Sequence, residues 1–412
     1  MTNVKIAVTR FLLICLAIVC APLVNTFAEA RAEDPVITRA DIVYDAGPGL
    51  TPIAVRAANG DLIVSFDTGG GDAMPDGTIP FIRSTDGGKT WSEPYVTYKS
   101  NDPLVGLAVS MFSLPDGNWS FGRMMLYFVE ARWTEKPDDS KPNFQSLAAQ
   151  RIFSSSFAFT DDEGLTHSEK QVLADPENSN GFSQGNPIVL PNGDMIWPWG
   201  NWGDKPLNGF RRSTNSGRSW EQVERAWQDP PPGQQTPLTF SETAAVVCTD
   251  GTIVAVARVD TLVDKKFWQI ESRDNGKTWT APHQIEIAGG SPAMYRTPKG
   301  QLLLAYRDGG YGPGLGLAAS DDNGKTWRFL YHLKEPKGEH EKLYGNLRYT
   351  DEDRKKPWRP AEGVVGYPCF VKLSDTEAYV VYHAHNRSEL SKRFPKGAVP
   401  FYIVGNVLKF PE

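Results

Sequence analysis

The chain has 412 residues, a formal net charge of -6, 40% hydrophobic and 22% charged residues, 38 Gly, 31 Pro and 12 Trp. That glycine and proline content is too low for a low-complexity chain and high enough for many tight turns, so a folded, turn-rich protein is expected. The weakly acidic balance, without a long Lys/Arg run, excludes the electrostatic footprint of a nucleic-acid or anionic-lipid binder. Length alone allows two or three domains or one large all-β unit.

The first element is a leader. Lys5 and Arg10 precede the apolar run from Phe11 to Val24, and the small residues Ala28, Ala30 and Ala32 follow. This is the order of a secretory signal peptide with its cleavage site, and the apolar run is short for a membrane span. Residues 1–32 are therefore expected to be removed, leaving a secreted or periplasmic protein with no membrane segment. Cys15 and Cys20 leave with the signal. The remaining Cys248 and Cys369 are too few for a disulfide framework, so the mature chain is held by its core.

Beyond the leader, Val36 to Tyr44 reads as a strand able to close a ring as the outer strand of the last unit. The octad Ser-Thr-Asp-Gly-Gly-Lys-Thr-Trp at Ser84 recurs in variant form at Ser213, Ser272 and Ser320, with a degenerate copy at Thr160. Its Asp or Asn can accept bonds from nearby backbone N–H groups, the Gly two residues later supplies a positive φ, and Ser/Thr hydroxyls close the turn. The octad carboxylates are therefore fold elements, and the Trp is expected to pack beside its hairpin as a small satellite core. A second motif alternates with the first: strand-like runs flank Asn59-Gly60, Asp116-Gly117, Asn192-Gly193, Asp250-Gly251 and Lys299-Gly300, with Ser374-Asp375 in the last copy. These are hairpin signals. Each unit reads as a four-stranded antiparallel blade, with starts near Thr51, Gly106, Asn186, Glu242, Ser291 and Tyr367. The expected fold is all-β, a six-bladed β-propeller forming a single domain over residues 33–412.

The octads resemble the Asp-box, or bacterial neuraminidase repeat, of the sialidase-like propellers, and the resemblance covers nearly all of the mature chain. In such a propeller the site lies over the channel, where innermost strands begin and second strands end. The hairpin register places Thr51, Asn186, Glu242, Ser291 and Tyr367 on the first ring. The second ring takes Asp67, Glu130 or Arg132, Trp199, Arg258, Arg307 and His383. Sialidases use a Tyr nucleophile activated by a Glu, an Asp acid/base and three Arg that bind the substrate carboxylate. Ser241 through Arg258 is similar to the stretch carrying that Glu and one Arg, and Gly366-Tyr367-Pro368 to the stretch carrying the Tyr. The resemblance thus implies Tyr367 as nucleophile, Glu242 as its base, and Asp72 or Asp76, in the loop of the first blade, as acid/base. Arg258 and Arg307 would bind an acidic group of the sugar, with Asn186, His383 and Asp67 around them. Trp199, near Trp197 and Trp202, would offer a flat apolar face.

The chain also departs from the family. Leu50-Thr51-Pro52 stands where an Arg-Ile-Pro motif is usual, Gly290-Ser291-Pro292 where the third arginine would fall, and His383 where a carboxylate braces the first arginine. Arg56, Arg296 or Arg307 would have to compensate. The implied function is a retaining, exo-type glycoside hydrolase on an acidic glycan, an exo-α-sialidase with an incomplete arginine triad, acting as a monomer without cofactor or metal. Two other readings stay open: a polysaccharide lyase using Tyr367, His383 or His385 beside a uronate, and a carbohydrate-binding propeller without chemistry. His383 and His385 share one strand face, but a metal site lacks an apparent third ligand.

Overall fold

The computed structural model describes residues 33–45, 49–68, 77–115, 121–133, 151–174, 181–183, 185–201, 208–221, 224–227, 240–259, 264–308, 314–334, 365–385 and 401–411. Asp72, Asp76, Trp202, the Asp116-Gly117 turn and the expected leader lie outside them.

Every described element is a strand. Strand β1 (Val36–Tyr44) comes first, and β2 to β5 (Leu50–Arg56, Leu62–Asp67, Ile79–Ser84, Val96–Tyr98) form a four-stranded sheet. β6 to β9 (Val105–Pro115, Phe121–Trp133, Arg151–Thr160, Gln171–Ala174) form a second. β10 to β14 (Gly181–Ser183, Ile188–Val189, Met195–Asn201, Asn208–Ser213, Glu224–Arg225) make a sheet of five, in which β10 and β11 both pair with β12. β15 to β21 (Phe240–Val247, Ile253–Val259, Lys266–Ser272, His283–Arg296, Leu302–Asp308, Leu315–Ser320, Arg328–His332) make a sheet of seven. β22 to β24 (Gly366–Lys372, Glu377–His385, Phe401–Lys409) are completed to four strands by β1. As expected of Val36 to Tyr44, β1 pairs antiparallel with β24, so the first and last described strands share one sheet.

The sheets are arranged as in a propeller, face against face, with apolar side chains filling each space between neighbours. Val64 and Phe66 of the first sheet meet Val381 and Ile403 of the last. Phe81 meets Leu126 and Phe128, and Tyr127 meets Trp197. Phe210 meets Ile270, and Leu303 and Leu317 meet Val380 and Tyr382. Middle strands covered on both faces consequently carry continuous apolar runs, as at residues 253–257 and 302–306, whereas a sheet with one wet face alternates.

The expected six separate four-stranded sheets are not what hydrogen bonding gives. The described strands form five sheets, three of them four-stranded. The cause is β18, 14 residues without a break. Its first part pairs with β17, at His283, Gln284 and Ala288, and its second part, from Gly289 to Arg296, with β19. The two halves of the seven-stranded sheet still pack on each other, through Val254, Phe267, Leu304 and Ala318.

All five octads adopt one turn. In the first, Ser84 Oγ donates to Asp86 Oδ1 at 2.8 Å and accepts from Gly88 N at 2.8 Å, while Asp86 accepts from Thr90 N and Thr90 Oγ1 at 3.0 and 2.6 Å. Asp162, Asn215, Asp274 and Asp322 repeat the pattern at their own turns. The tryptophans do not form satellite cores. Trp91 stacks on Tyr379 of the last sheet and Trp279 on Phe210 of the third, so these two octads fasten their sheets to the preceding ones. Gly88 shows the constraint: φ is +86° and a Cβ there would sit 2.9 Å from Tyr379 Cζ, whereas at Gly87, φ +72°, it would meet nothing within 4 Å. Gly88→Ala is expected to cost about 2–3 kcal/mol and Gly87→Ala about 1, compared by denaturant titration.

Candidate active site

Four innermost strands share one irregularity, at the start of three and inside β18. On β2, β15, β18 and β22 the ladder skips between Leu50 and Ile53, Ser241 and Thr243, Gly290 and Ala293, and Gly366 and Cys369. Each skip is a β-bulge, and each holds a side-chain-bearing residue in the left-handed region: Thr51 at φ 43°, Glu242 at 40°, Ser291 at 48° and Tyr367 at 52°. Such backbone costs energy that surrounding packing must offset, and it re-aims the side chain. At three of the four a proline follows, Pro52, Pro292 and Pro368, whose missing N–H suits a place where the ladder is interrupted. The Thr-Pro, Ser-Pro and Tyr-Pro pairs were the sequence signal for this strain.

The bulges bring Glu242, Ser291, Arg258 and Arg307 into one network. Arg258 Nη1 lies 2.9 Å from Glu242 Oε2, with 22% and 17% of the two side chains exposed. Ser291 N donates to the same oxygen at 2.7 Å, and Ser291 Oγ lies 3.4 Å from Oε1. Arg307 Nη2 donates to Ser291 Oγ at 2.7 Å. Burial pushes the Glu242 carboxyl up, but the charges of Arg258 and Arg307 and the bonds from Arg258 and Ser291 N outweigh it and bring it down to about 2.

The network continues round the ring. The Arg307 guanidinium carbon is 5.6 Å from the centre of the Tyr367 ring, and Tyr367 lies 5.6 Å from the buried His383 ring at a tilt of 45°. His383 Nδ1 accepts from Thr51 N at 3.1 Å. With Nδ1 accepting, the neutral imidazole carries its proton on Nε2 and is a hydrogen-bond donor there. Glu242, Ser291, Arg307, Tyr367, His383 and Thr51 thus form a chain of contacts across four successive innermost strands.

Other expected site residues fall elsewhere. Asp67 is buried at the end of β3, opposite Leu50 and so beside the Thr51 bulge. Asn186 is exposed and reaches Cys369 Sγ at 3.6 Å rather than the Glu242 network. Glu130 pairs with Lys170 and Arg132 with Asp102. Trp199, expected to offer a face to a sugar, is only 2% exposed, with Arg211 stacked 4.2 Å over it and Trp197 and Tyr127 at its edges. It is a core residue of the third sheet. Arg56 and Arg296 pair with Leu62 and Leu302 at the hairpin ends of their strands, five residues from Thr51 and Ser291, or roughly 17 Å along an extended chain. They cannot compensate for missing arginines. Asp72, Asp76 and the His385 side chain lie outside the described residues.

The acidity of Glu242 gives a stability prediction. A carboxyl lowered in the folded state contributes stability that is complete above its unfolded value, about 4.3, and is lost as pH falls toward 2. Wild type is therefore expected to lose more thermal stability than Glu242→Gln between pH 4.5 and 2.5, measured as the difference between their melting temperatures across that window.

Comparisons with known proteins agree with this architecture. A protein of unknown function from Dyadobacter fermentans is 18% identical, with a TM-score of 0.63 over 92% of this chain and 99% of that one. The Hadza microbial sialidase Hz136 is 17% identical, with a TM-score of 0.59 over 90% and 68%. The α-L-arabinanase of Penicillium chrysogenum, solved with arabinobiose, is 14% identical, with a TM-score of 0.55 over 92% and 99%. At these identities the likeness speaks for the fold. No curated protein matches the sequence. The BNR/Asp-box repeat matches residues 82–93, the first octad, and the BNR repeat-like domain matches residues 119–380. That second match spans more than half of the chain and covers four of the five octads, so the chain belongs to the BNR repeat-like domain family, within the sialidase-like propeller superfamily.

Proposed function

We propose that the protein is a secreted, monomeric, retaining glycoside hydrolase, a six-bladed propeller in which the seven-stranded sheet counts as two blades sharing β18. The observation that carries this reading is the set of four strained bulges that present Thr51, Glu242, Ser291 and Tyr367 toward one contact network. Sialidase and arabinanase neighbours of the same fold support a carbohydrate-active chain. In the proposed reaction the Tyr367 oxygen attacks the anomeric carbon. Its proton passes toward the Glu242 carboxylate, and the Arg307 guanidinium is placed to balance phenolate charge. Asp72 or Asp76 protonates the leaving oxygen and then activates the water that releases the product.

The raised acidity of Glu242 favours a second reading, because a carboxylate so firmly ionised is a weak proton acceptor. In that reading Glu242 itself attacks, as a carboxylate does in most retaining enzymes. The donor state of the His383 Nε2 argues against His383 as the proton-abstracting base of a lyase, which would then have to use Tyr367 or His385. The test is a panel of oligosaccharides followed by reducing-end release and by ultraviolet absorbance. Reducing ends without an unsaturated product support hydrolysis; an unsaturated product would replace it with elimination.

A further inference from the structure

The charges around the bulges do not leave an arginine for an acidic sugar. Among the described residues none of the four bulge side chains is cationic, and the cations come from the second strands, Arg258 and Arg307. Arg258 is bound to Glu242 at 2.9 Å. Arg307 is buried and committed to Ser291 Oγ at 2.7 Å. Both arginines act on the one Glu242 carboxylate, Arg258 by direct contact and Arg307 through its charge. A substrate carboxylate drawn to Arg258 would have to sit against the Glu242 carboxylate, where like charges a few ångströms apart repel. One drawn to Arg307 would have to displace the Ser291 hydroxyl.

We infer that Ser291 is a specificity-determining residue: by committing Arg307 to the protein, it makes the site take a glycan end that carries hydroxyls and no carboxylate. The inference rests on the reading of this network as a glycan site. The Thr51 hydroxyl and the Tyr367 phenol, on half-buried side chains, supply hydrogen-bonding chemistry suited to sugar hydroxyls, and the Tyr367 ring supplies an apolar face. Ser291 contributes in two separable ways, because its amide holds Glu242 while its hydroxyl holds Arg307.

That separation sets the experiment. The full chain is applied to an array of oligosaccharides ending in uncharged hexoses or pentoses, in uronates and in sialates, and hits are titrated calorimetrically. Wild type is expected to favour uncharged ends at least about tenfold. Ser291→Ala keeps the amide donor and removes the hydroxyl that holds Arg307 Nη2, so the ratio is expected to move about tenfold toward acidic ends. Ser291→Thr, which keeps a hydroxyl, is expected to retain the wild-type ratio, a rescue that a merely structural role would not produce. Preference of wild type for acidic ends overturns the inference, as does a ratio unmoved in Ser291→Ala or failure to bind any glycan. Binding with the expected preference but without product release counts against the hydrolase reading alone.

Discussion

Tyr367→Phe is expected to abolish turnover, lowering kcat at least about 10³-fold, as removal of a nucleophile does when no neighbouring group takes its place. Folding should be untouched, because the substitution removes one oxygen and leaves the ring between Arg307 and His383. The measurement is kcat on whichever oligosaccharide wild type cleaves, with melting temperature as control. Activity within tenfold of wild type would move the attack from Tyr367 to Glu242.

Glu242→Gln is expected to lower kcat by about 10²–10⁴-fold, the range for loss of a positioned proton acceptor. The amide preserves shape and can still accept from Ser291 N, but it removes the negative charge that faces Arg258 and Arg307. Losing charge-assisted bonds inside a half-buried network should cost about 1–3 kcal/mol of stability. A variant with wild-type kcat and reduced stability would make Glu242 a structural partner of Arg258 and nothing more.

Local chemistry explains what was legible from the residues alone. The octads were readable because an Asp, a positive-φ Gly and hydroxyls at fixed offsets describe a turn completely, and all five adopt it. The ring of strand starts was readable because hairpin turns set register: Thr51, Glu242 and Tyr367 do begin innermost strands, whereas Ser291 sits at a bulge inside the continuous β18. Strain at those starts was present as proline pairs, yet Glu242 has Thr243 after it and gives no such sign. Trp199 was misplaced because an aromatic on a strand looks the same whether it faces a neighbouring sheet or an open groove. Continuity of β18 depends on how two units pack, which no local pattern encodes. The octads show one further local fact: a residue with positive φ precedes the glycine, even where it is Glu163, Ser216, Asn275 or Asn323.

The central claim is that Tyr367 attacks the sugar. A 2-fluoro derivative of the preferred glycoside slows release of a covalent intermediate, and peptide mass spectrometry then locates the sugar. An adduct is expected on the peptide that contains Tyr367, absent in Tyr367→Phe. An adduct on Glu242, or inverted anomeric configuration in the first-formed product, would contradict it.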